Sequence, residues 1–477
     1  FIRAADVYVT PYLNPAQITS GTLAYSFGCG KAIVSTPYWH AEELLADGRG
    51  VLVPFADPRA LAKEIRGLLG DEPRRLAMGR RAYELGREMV WARSAQHYMD
   101  SFRRARHGRQ DRPSRPLAVR TLAEQRAELP AWRFDHLLAM TDATGMLQHA
   151  TYGIPNYADG YCTDDNARAL LLTMLLGELG RDEPQIRRLA TAAAAFLQAA
   201  FDRERGRFGN FMGFDRRWME EVGSEDCQGR AVWALGTCVG RSRRPDLPPW
   251  AAAQFEQALS AVPAMTSPRA WAFSLLGIHE YLRRFGGDRI TGLIRETLTA
   301  RLVGLYERTS TDDWRWFEEV LAYDNARLPH ALLVSGDPKA VEVALAALEW
   351  LVGVQRSPRG HFRAIGCHGF YRKGQEPARF DQQPIEANAT VSACLEAYRA
   401  TGEPRWLDEA RSAFEWFLGR NDLGQDLYDP VTGGCCDGLQ EDRVNRNQGA
   451  ESTLAFLLSL AEMSLLESSL AVFSRTR

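Results

Sequence analysis

The sequence predicts a chain in two parts: an α/β segment built on a parallel sheet, then a longer all-α segment whose helical hairpins close into an (α/α)6 ring. Three observations carry this expectation. In residues 1–105 short β-branched runs alternate with helical periods, the signature of βαβ units. From about residue 121 strand signals are scarce, and helices pair with a repeat of roughly 40–60 residues. In that region one kind of helix recurs, polar or acidic at its start and small and apolar in its body. Ordinary amphipathic helices fall between its copies, as an inner and an outer layer require. A length of 477 residues leaves room for two or three domains.

Strand signals in the first part fall at 7–12, 32–36 and 51–55, and helical patterns at 20–27, 41–46, 58–69 and 72–88. Strands alternating with helices at this spacing give a parallel sheet. Three strands are few for a doubly wound sheet, and the chain opens Phe1-Ile2-Arg3, without Met, into a strand-like run. Both features fit a segment cut from a longer polypeptide. Residues 106–120 are expected to be a solvated basic linker. Seven arginines lie between Arg103 and Arg120 with Pro113, Pro116 and a single acid, Asp111. The expected domains are therefore 1–105, a linker at 106–120, and 121–477.

The inner-type helices of the third region begin at Asp164-Asp165-Asn166-Ala167-Arg168, Glu225-Asp226-Cys227-Gln228-Gly229-Arg230 and Pro268-Arg269-Ala270-Trp271. The other three begin at Tyr323-Asp324-Asn325-Ala326-Arg327, Ile385-Glu386-Ala387-Asn388 and Asn447-Gln448-Gly449-Ala450-Glu451. Outer-type helices are expected at 187–201, 250–262, 290–306, 339–355 and 406–418. An open solenoid of stacked hairpins is the alternative. It does not account for acids, amides and aromatics gathering just before each inner helix.

Composition narrows the function. Fifty-eight basic and 60 acidic side chains give a net charge of −2, which favours neither nucleic acid nor an anionic membrane as partner. The most nearly unbroken apolar run, 169–176, is far short of the ~20 residues of a membrane span. Eight cysteines show no CxxC spacing, and Cys435 and Cys436 are adjacent. They are expected to be reduced thiols in a cytoplasmic protein with no metal and no cofactor. Neither a His-Glu-x-x-His pair nor a G-x-S-x-G elbow occurs.

In a closed ring the starts of the inner helices share one end, so the loops entering them converge on one cleft. Glycoside cleavage needs two carboxyl groups, one protonated and one ionised, and crowding in a dry cleft drives their pKa values apart. The candidates are Glu319 and Asp324, then Asp165 and Glu225, then Glu386, Asp381 and Glu451. Glu319 follows Trp314-Arg315-Trp316-Phe317, expected to form an apolar wall beside it. Tyr161, Trp218, Trp314, Trp316 and Tyr323 offer aromatic faces for a pyranose. Asp164, Asp226, Arg230, Asn325, Gln382, Gln383, Asn447 and Gln448 offer partners for its hydroxyls. Tyr152, Tyr157 and Asp159 stand in the same loops. Any one of these acids also has a simpler role as a helix cap.

Residues 4–70 carry the order Ala5-Asp6-Val7, a small helix after Ser20-Gly21-Thr22, Gly28-Cys29-Gly30-Lys31-Ala32-Ile33-Val34, Glu42-Glu43-Leu44-Leu45 and Leu52-Val53-Pro54. This resembles the nucleotide-sugar-binding half of a GT-B retaining glycosyltransferase, and implies a partial Rossmann-like fold. The resemblance places a donor diphosphate at Ser20, Gly21 and Thr22, where a helix N-terminus offers N–H groups. It sets Gln17 and Tyr25 where the family has two glutamates. The family's diphosphate-clamping basic pair and its acceptor half have no counterpart here. A nucleotide sugar is thus expected as donor substrate only if the missing half is present.

Residues 130–465 resemble a six-hairpin (α/α)6 glycosidase-type domain through Tyr161-Cys162-Thr163-Asp164-Asp165, Ser224-Glu225-Asp226-Cys227 and Asn447-Gln448-Gly449-Ala450-Glu451. Similar blocks are associated with bacterial proteins in which such a domain follows a glycosyltransferase module. The resemblance implies a parent protein that transfers a hexose from a nucleotide sugar to a saccharide, and a toroid that binds or cleaves glycosides. Hydrolase or phosphorylase activity confined to the toroid, and a non-catalytic glycan-binding toroid, are the alternatives.

Overall fold

A computed structural model describes residues 2–110 and 128–475. The chain divides into two units, Phe1–Gln125 and Arg126–Arg477. In the first unit β1 (Val7–Thr10), β2 (Ala32–Ser35) and β3 (Val51–Leu52) form a parallel sheet in that order. Parallel strands need crossovers, supplied by α1 (Gly21–Gly28) and α2 (Trp39–Leu45). The helices α3 (Pro58–Gly70) and α4 (Glu72–Gly86) follow. Proline at the first turn of α3 is preset for a helix, and the Asp57 side chain caps Arg59 N and Ala60 N. Strand alternation puts Ile33 with Leu23, Phe27 and Leu44 on one face of the sheet, and Ala32 and Val34 with Leu68 and Met78 on the other. Helices therefore cover both faces, as a Rossmann-like sheet requires. A further helix, α5 (Trp91–Gln110), runs into the stretch expected as linker. The remainder of that stretch, 111–120, lies outside the described residues.

The second unit opens with the short α6 (Asp135–Ala139) and then alternates inner and outer helices. The inner helices are α7 (Thr163–Glu178), α9 (Glu225–Arg241), α11 (Pro268–Leu282), α13 (Arg327–Leu333), α15 (Pro384–Thr401) and α17 (Ala450–Arg475). The outer helices are α8 (Pro184–Ala200), α10 (Leu247–Leu259), α12 (Arg289–Thr309), α14 (Pro338–Val354) and α16 (Arg405–Glu415). Each outer helix packs on the inner helix before it, and each inner helix on the next. The last, α17, packs on both α15 and α7, so the ring closes. Closure excludes the open solenoid. Among the described residues no outer helix follows α17, and α6 packs on it instead.

The apolar stretch of α17, Ala450–Leu470, is long enough to cross a membrane, unlike the 169–176 run considered in the sequence. Its place in the ring accounts for its composition, since a helix with neighbours on both flanks buries more than one stripe.

Small residues set how tightly the ring winds. A Cβ at Gly236 of α9 would stand 2.0 Å from the carbonyl oxygen of Gly277 in α11, and one at Gly240 would stand 2.2 Å from that of Glu280. The two helices thus meet backbone to backbone.

The ring axis is charged rather than oily. Asp324, fully buried just before α13, accepts hydrogen bonds from Arg230 Nη2 of α9 (2.8 Å) and Arg327 Nε of α13 (3.2 Å). Arg327 also donates to Asn388 of α15, whose Nδ2 donates to Ser459 Oγ of α17 (3.0 Å). Burial alone would raise the Asp324 pKa, but the Arg230 and Arg327 guanidiniums outweigh it and hold the carboxyl below the usual carboxylate range. The guanidinium faces that lose water gain aromatic ones. Arg230 lies 4.1 Å from the Phe273 ring centre and Arg327 4.8 Å from that of Trp233.

Two outcomes follow for stability. Gly236→Ala must push α9 and α11 apart and is expected to cost about 1–3 kcal/mol in denaturant unfolding. Gly353→Ala in α14, with open space around it, should be neutral or slightly stabilising. Asp324→Asn strands two buried cations and is expected to cost about 3–5 kcal/mol at neutral pH. Because the folded pKa is depressed, that contribution is complete above the unfolded carboxylate pKa and is lost as pH falls through the folded one. The unfolding midpoints of wild type and Asp324→Asn should therefore converge in acid; a constant gap would contradict the assignment.

Candidate active site at the mouth of the ring

The inner helices start around one mouth, where side-chain caps fix several first turns. Tyr161-Cys162 pairs antiparallel with Phe211-Met212 and leads into α7. Cys162 Sγ accepts from Asp165 N (3.3 Å), and its thiol donates to the Asp165 carboxyl (3.1 Å). Arg168, one turn on, donates to Asp165 Oδ1 (2.8 Å) and to Glu451 Oε2 of α17 (2.6 Å), joining the first and last inner helices. Ser224 caps α9 at Cys227 N (3.0 Å). Glu225 accepts from the backbone N–H groups of Thr266 (2.8 Å) and Ser267 (2.6 Å). Asp226 accepts from the hydroxyls of Ser267 (2.9 Å) and Tyr323.

Arg269 of α11 binds the opposite wall. It donates to the Tyr323 carbonyl (2.6 Å) and Glu318 (2.7 Å), with its guanidinium 4.6 Å from the Tyr323 ring centre. Asn325 Nδ2 donates to Glu386 Oε2 (2.9 Å).

Most expected catalytic acids are thus occupied: Asp324 and Asp165 by arginines, Glu451 by Arg168, Glu225 by backbone N–H groups. Three carboxyls in these loops and first turns each keep a buried oxygen without a hydrogen-bond partner: Glu386 Oε1, Asp164 Oδ1 and Asp381 Oδ1. Burial, helped by the charge of Asp324, pushes Glu386 up to about 7 against the Asn325 hydrogen bond and Arg269. Burial also raises Asp164, with Arg230 and Arg168 pulling it back, and raises Asp381, opposed by Gln440 and His368. Asp165 is pushed up to about 6, by burial against Arg168.

The other expected residues fall in several places. Glu319 is exposed, while Trp314 and Trp316 are buried in the core against Trp350 of α14. The intended wall therefore faces away from Glu319. Tyr161 is buried and donates to Asp142 (2.6 Å), and Trp218 packs edge-on against Phe196. Gln382 is locked between Trp416 Nε1 (2.9 Å) and Asp422 (2.8 Å), and Gln383 precedes α15 half-buried. Asn447 Oδ1 holds the Tyr152 N–H (2.9 Å), and Gln448 joins Thr432 (3.0 Å) and Asp429 (3.2 Å). Tyr323 stands at the mouth.

In the first unit Ser20 Oγ caps Leu23 N (3.3 Å), leaving Gly21 and Thr22 exposed at the start of α1. Gln17 Nε2 donates to Thr19 O (2.9 Å), and Tyr25 is exposed.

Arg168, Arg269 and Arg327 were absent from the expected site. For Arg168 and Arg327 a signal was present in the sequence, an acid three residues before the arginine in Asp165/Arg168 and Asp324/Arg327, whereas Arg269 has none. That spacing puts both charges on one helix face.

Residues 1–71 match the family model described as Glycosyl transferases group 1. The uncharacterized glycosyltransferase MJ1069 of Methanocaldococcus jannaschii is 30% identical over 105 residues, covering 22% of this chain and 26% of its own. The chain thus spans about a quarter of the length of the curated relative it matches. Among solved structures, cellobiose 2-epimerase from Spirochaeta thermophila DSM 6192 has a TM-score of 0.55 at 17% identity, over 74% of this chain and 100% of its own. Cellobiose 2-epimerase from Bacillus thermoamylovorans B4167 has a TM-score of 0.55 at 11% identity, over 70% and 96%. A D-mannose isomerase reaches 0.53 at 11% identity, over 70% and 95%. At such identities the likeness is one of fold. The chain joins a segment similar to group 1 glycosyltransferases to a closed (α/α)6 toroid.

Proposed function

We propose that this is a carbohydrate-active protein whose ring mouth binds a saccharide and acts on a glycosidic bond through Glu386. The observation that carries the reading is the setting of Glu386: buried at the mouth with Oε1 lacking a hydrogen-bond partner, where burial pushes its pKa up to about 7. An acid with a pKa near the working pH can both hold a proton and release it. Asn325 fixes one oxygen and leaves the other to meet a glycosidic oxygen. Asp164 is the partner carboxyl; burial raises its pKa, while Arg230 and Arg168 pull it back toward the ionised form.

The first unit, in the same reading, is part of a GT-B glycosyltransferase that moves a hexose from a nucleotide sugar to a saccharide. Its diphosphate site forms at Ser20, Gly21 and Thr22 once a second half-domain completes it. Eight free thiols suit a cytoplasmic setting. A toroid that only holds glycan is the second reading, favoured by the acids that arginines and backbone N–H groups already occupy.

The test incubates the full chain with a panel of oligosaccharides, with and without phosphate, and follows product release. Glu386→Gln is expected to lower the rate by about 10²–10⁴-fold while saccharide binding persists. The wild-type rate should fall on the alkaline side with a midpoint near pH 7. Binding with no product from wild type would select the glycan-holding reading.

Stability supplies an independent check. Burial pushes the pKa of folded Glu386 up to about 7, whereas the unfolded chain releases the proton near the ordinary glutamate value of 4.5. Wild-type stability should therefore fall relative to Glu386→Gln across that interval, by roughly 3 kcal/mol in all.

A further inference from the structure

We propose that Arg269 is a positioning residue for Glu386: acting through Asn325, it fixes which oxygen of that carboxyl carries the proton. The inference rests on the reading that Glu386 acts at the mouth, and adds the residue that orients it. Arg269 belongs to the first turn of α11 and is 4% exposed. Its nitrogens reach separate acceptors: Nε donates to the Tyr323 carbonyl (2.6 Å), Nη1 to Glu318 Oε2 (2.7 Å) and Nη2 to Asn325 Oδ1 (3.5 Å). Arg269 therefore grips the chain on both sides of Asp324. That grip falls where the backbone needs it. Asp324 has φ +49°, in the left-handed region that residues other than glycine rarely adopt. Such a conformation persists only when its surroundings over-determine it. Arg230 and Arg327 hold the Asp324 carboxyl, and Arg269 holds the residues before and after it.

The effect passes to Glu386 through the Asn325 amide, which has one donating end and one accepting end. With Oδ1 facing a guanidinium, Nδ2 is turned the other way, where it donates to Glu386 Oε2 (2.9 Å) and the Ala322 carbonyl (3.3 Å). A neutral carboxyl accepts such a bond on its carbonyl oxygen and carries its proton on the other. Oε2 is thus the carbonyl oxygen, and Oε1, without a hydrogen-bond partner, is the hydroxyl. A reversed amide would set Oδ1 against Glu386 and draw the proton to Oε2, where the amide would hold it. Burial, the largest influence, and the charge of Asp324 raise the Glu386 pKa, while the Asn325 hydrogen bond and Arg269 lower it. Lysine in place of Arg269 would keep the charge but offer a single nitrogen instead of a planar fork.

The experiment records infrared difference spectra of the full chain against pH, with Glu386→Gln identifying the Glu386 carboxyl band. Hydrogen bonding lowers the stretching frequency of a carbonyl, so the band reports the Asn325 contact directly. Arg269→Lys is expected to move the band to higher frequency and its titration midpoint upward from about 7. Arg269→Gln, which loses the charge as well, should raise the midpoint by roughly one pH unit. Glu318→Gln, a change at the outer end of the network that loosens Arg269, should shift both in the same direction by less. In an Asn325→Ala background Arg269→Lys should shift neither, because the link it acts through is gone. An unchanged band in Arg269→Lys or, should that variant fail to fold, in Glu318→Gln would overturn the positioning role. The same shift with and without Asn325 would overturn it too, and both results leave Glu386 as the acid. A Glu386→Gln spectrum that loses no band titrating near neutral pH would overturn the reading of Glu386, and the positioning role with it.

Discussion

The carboxylate of Asp324, enclosed by Arg230 and Arg327, is the constraint on which the rest of the ring depends. It sits where helices from different parts of the chain converge, and its two partners arrive from α9 and α13. Through Arg327 the linkage continues to Asn388 and Ser459, so four inner helices share one hydrogen-bonded layer. Apolar packing holds helices together with little preference for rotation or register. A charged layer with fixed donor geometry allows one arrangement, because any other leaves a buried cation without its anion.

That layer also shapes the chemistry above it. The arginines of the axis are committed to Asp324, Asp165 and Glu451, and Arg269 is committed to Glu318 and the Tyr323 carbonyl. Glu386 accepts from the Asn325 amide and has the ionised Asp324 nearby. Burial and that neighbouring charge both favour the neutral carboxyl. The raised pKa of Glu386 is thus chiefly a product of its burial, with the charge of Asp324 adding to it and Arg269 opposing it.

Much of this was legible in the sequence, and the limits have physical causes. The βαβ alternation and the two-layer helical pattern are local properties written in residue periodicity, so the parallel sheet and the inner and outer helices emerged with small shifts at their ends. Convergence of the helix starts on one mouth followed from ring geometry. The identity of the unengaged acids did not, because a carboxyl at a helix start looks the same whether an arginine from another helix meets it or not. Glu319 follows two tryptophans in the sequence, yet Trp314 and Trp316 turn into the core toward Trp350. Glu386, in a plainer apolar context, has its pKa raised by burial and by the charge of Asp324, some sixty residues away in the chain, against the hydrogen bond from Asn325. The acid-to-arginine spacing was the one readable sign that several acids would already be matched.

Ring closure by α17 has a bearing on how the molecule is made. The contact that seals it, Arg168 to Glu451, joins positions 283 residues apart. During synthesis the early helices emerge with one flank uncovered and wait for the last of them to be released from the ribosome. Such long-range closure is slow and exposes apolar surface in the interval. Nascent chains of this protein therefore have the character of chaperone clients, and a stop codon ahead of α17 would leave an unsealed arc prone to aggregation.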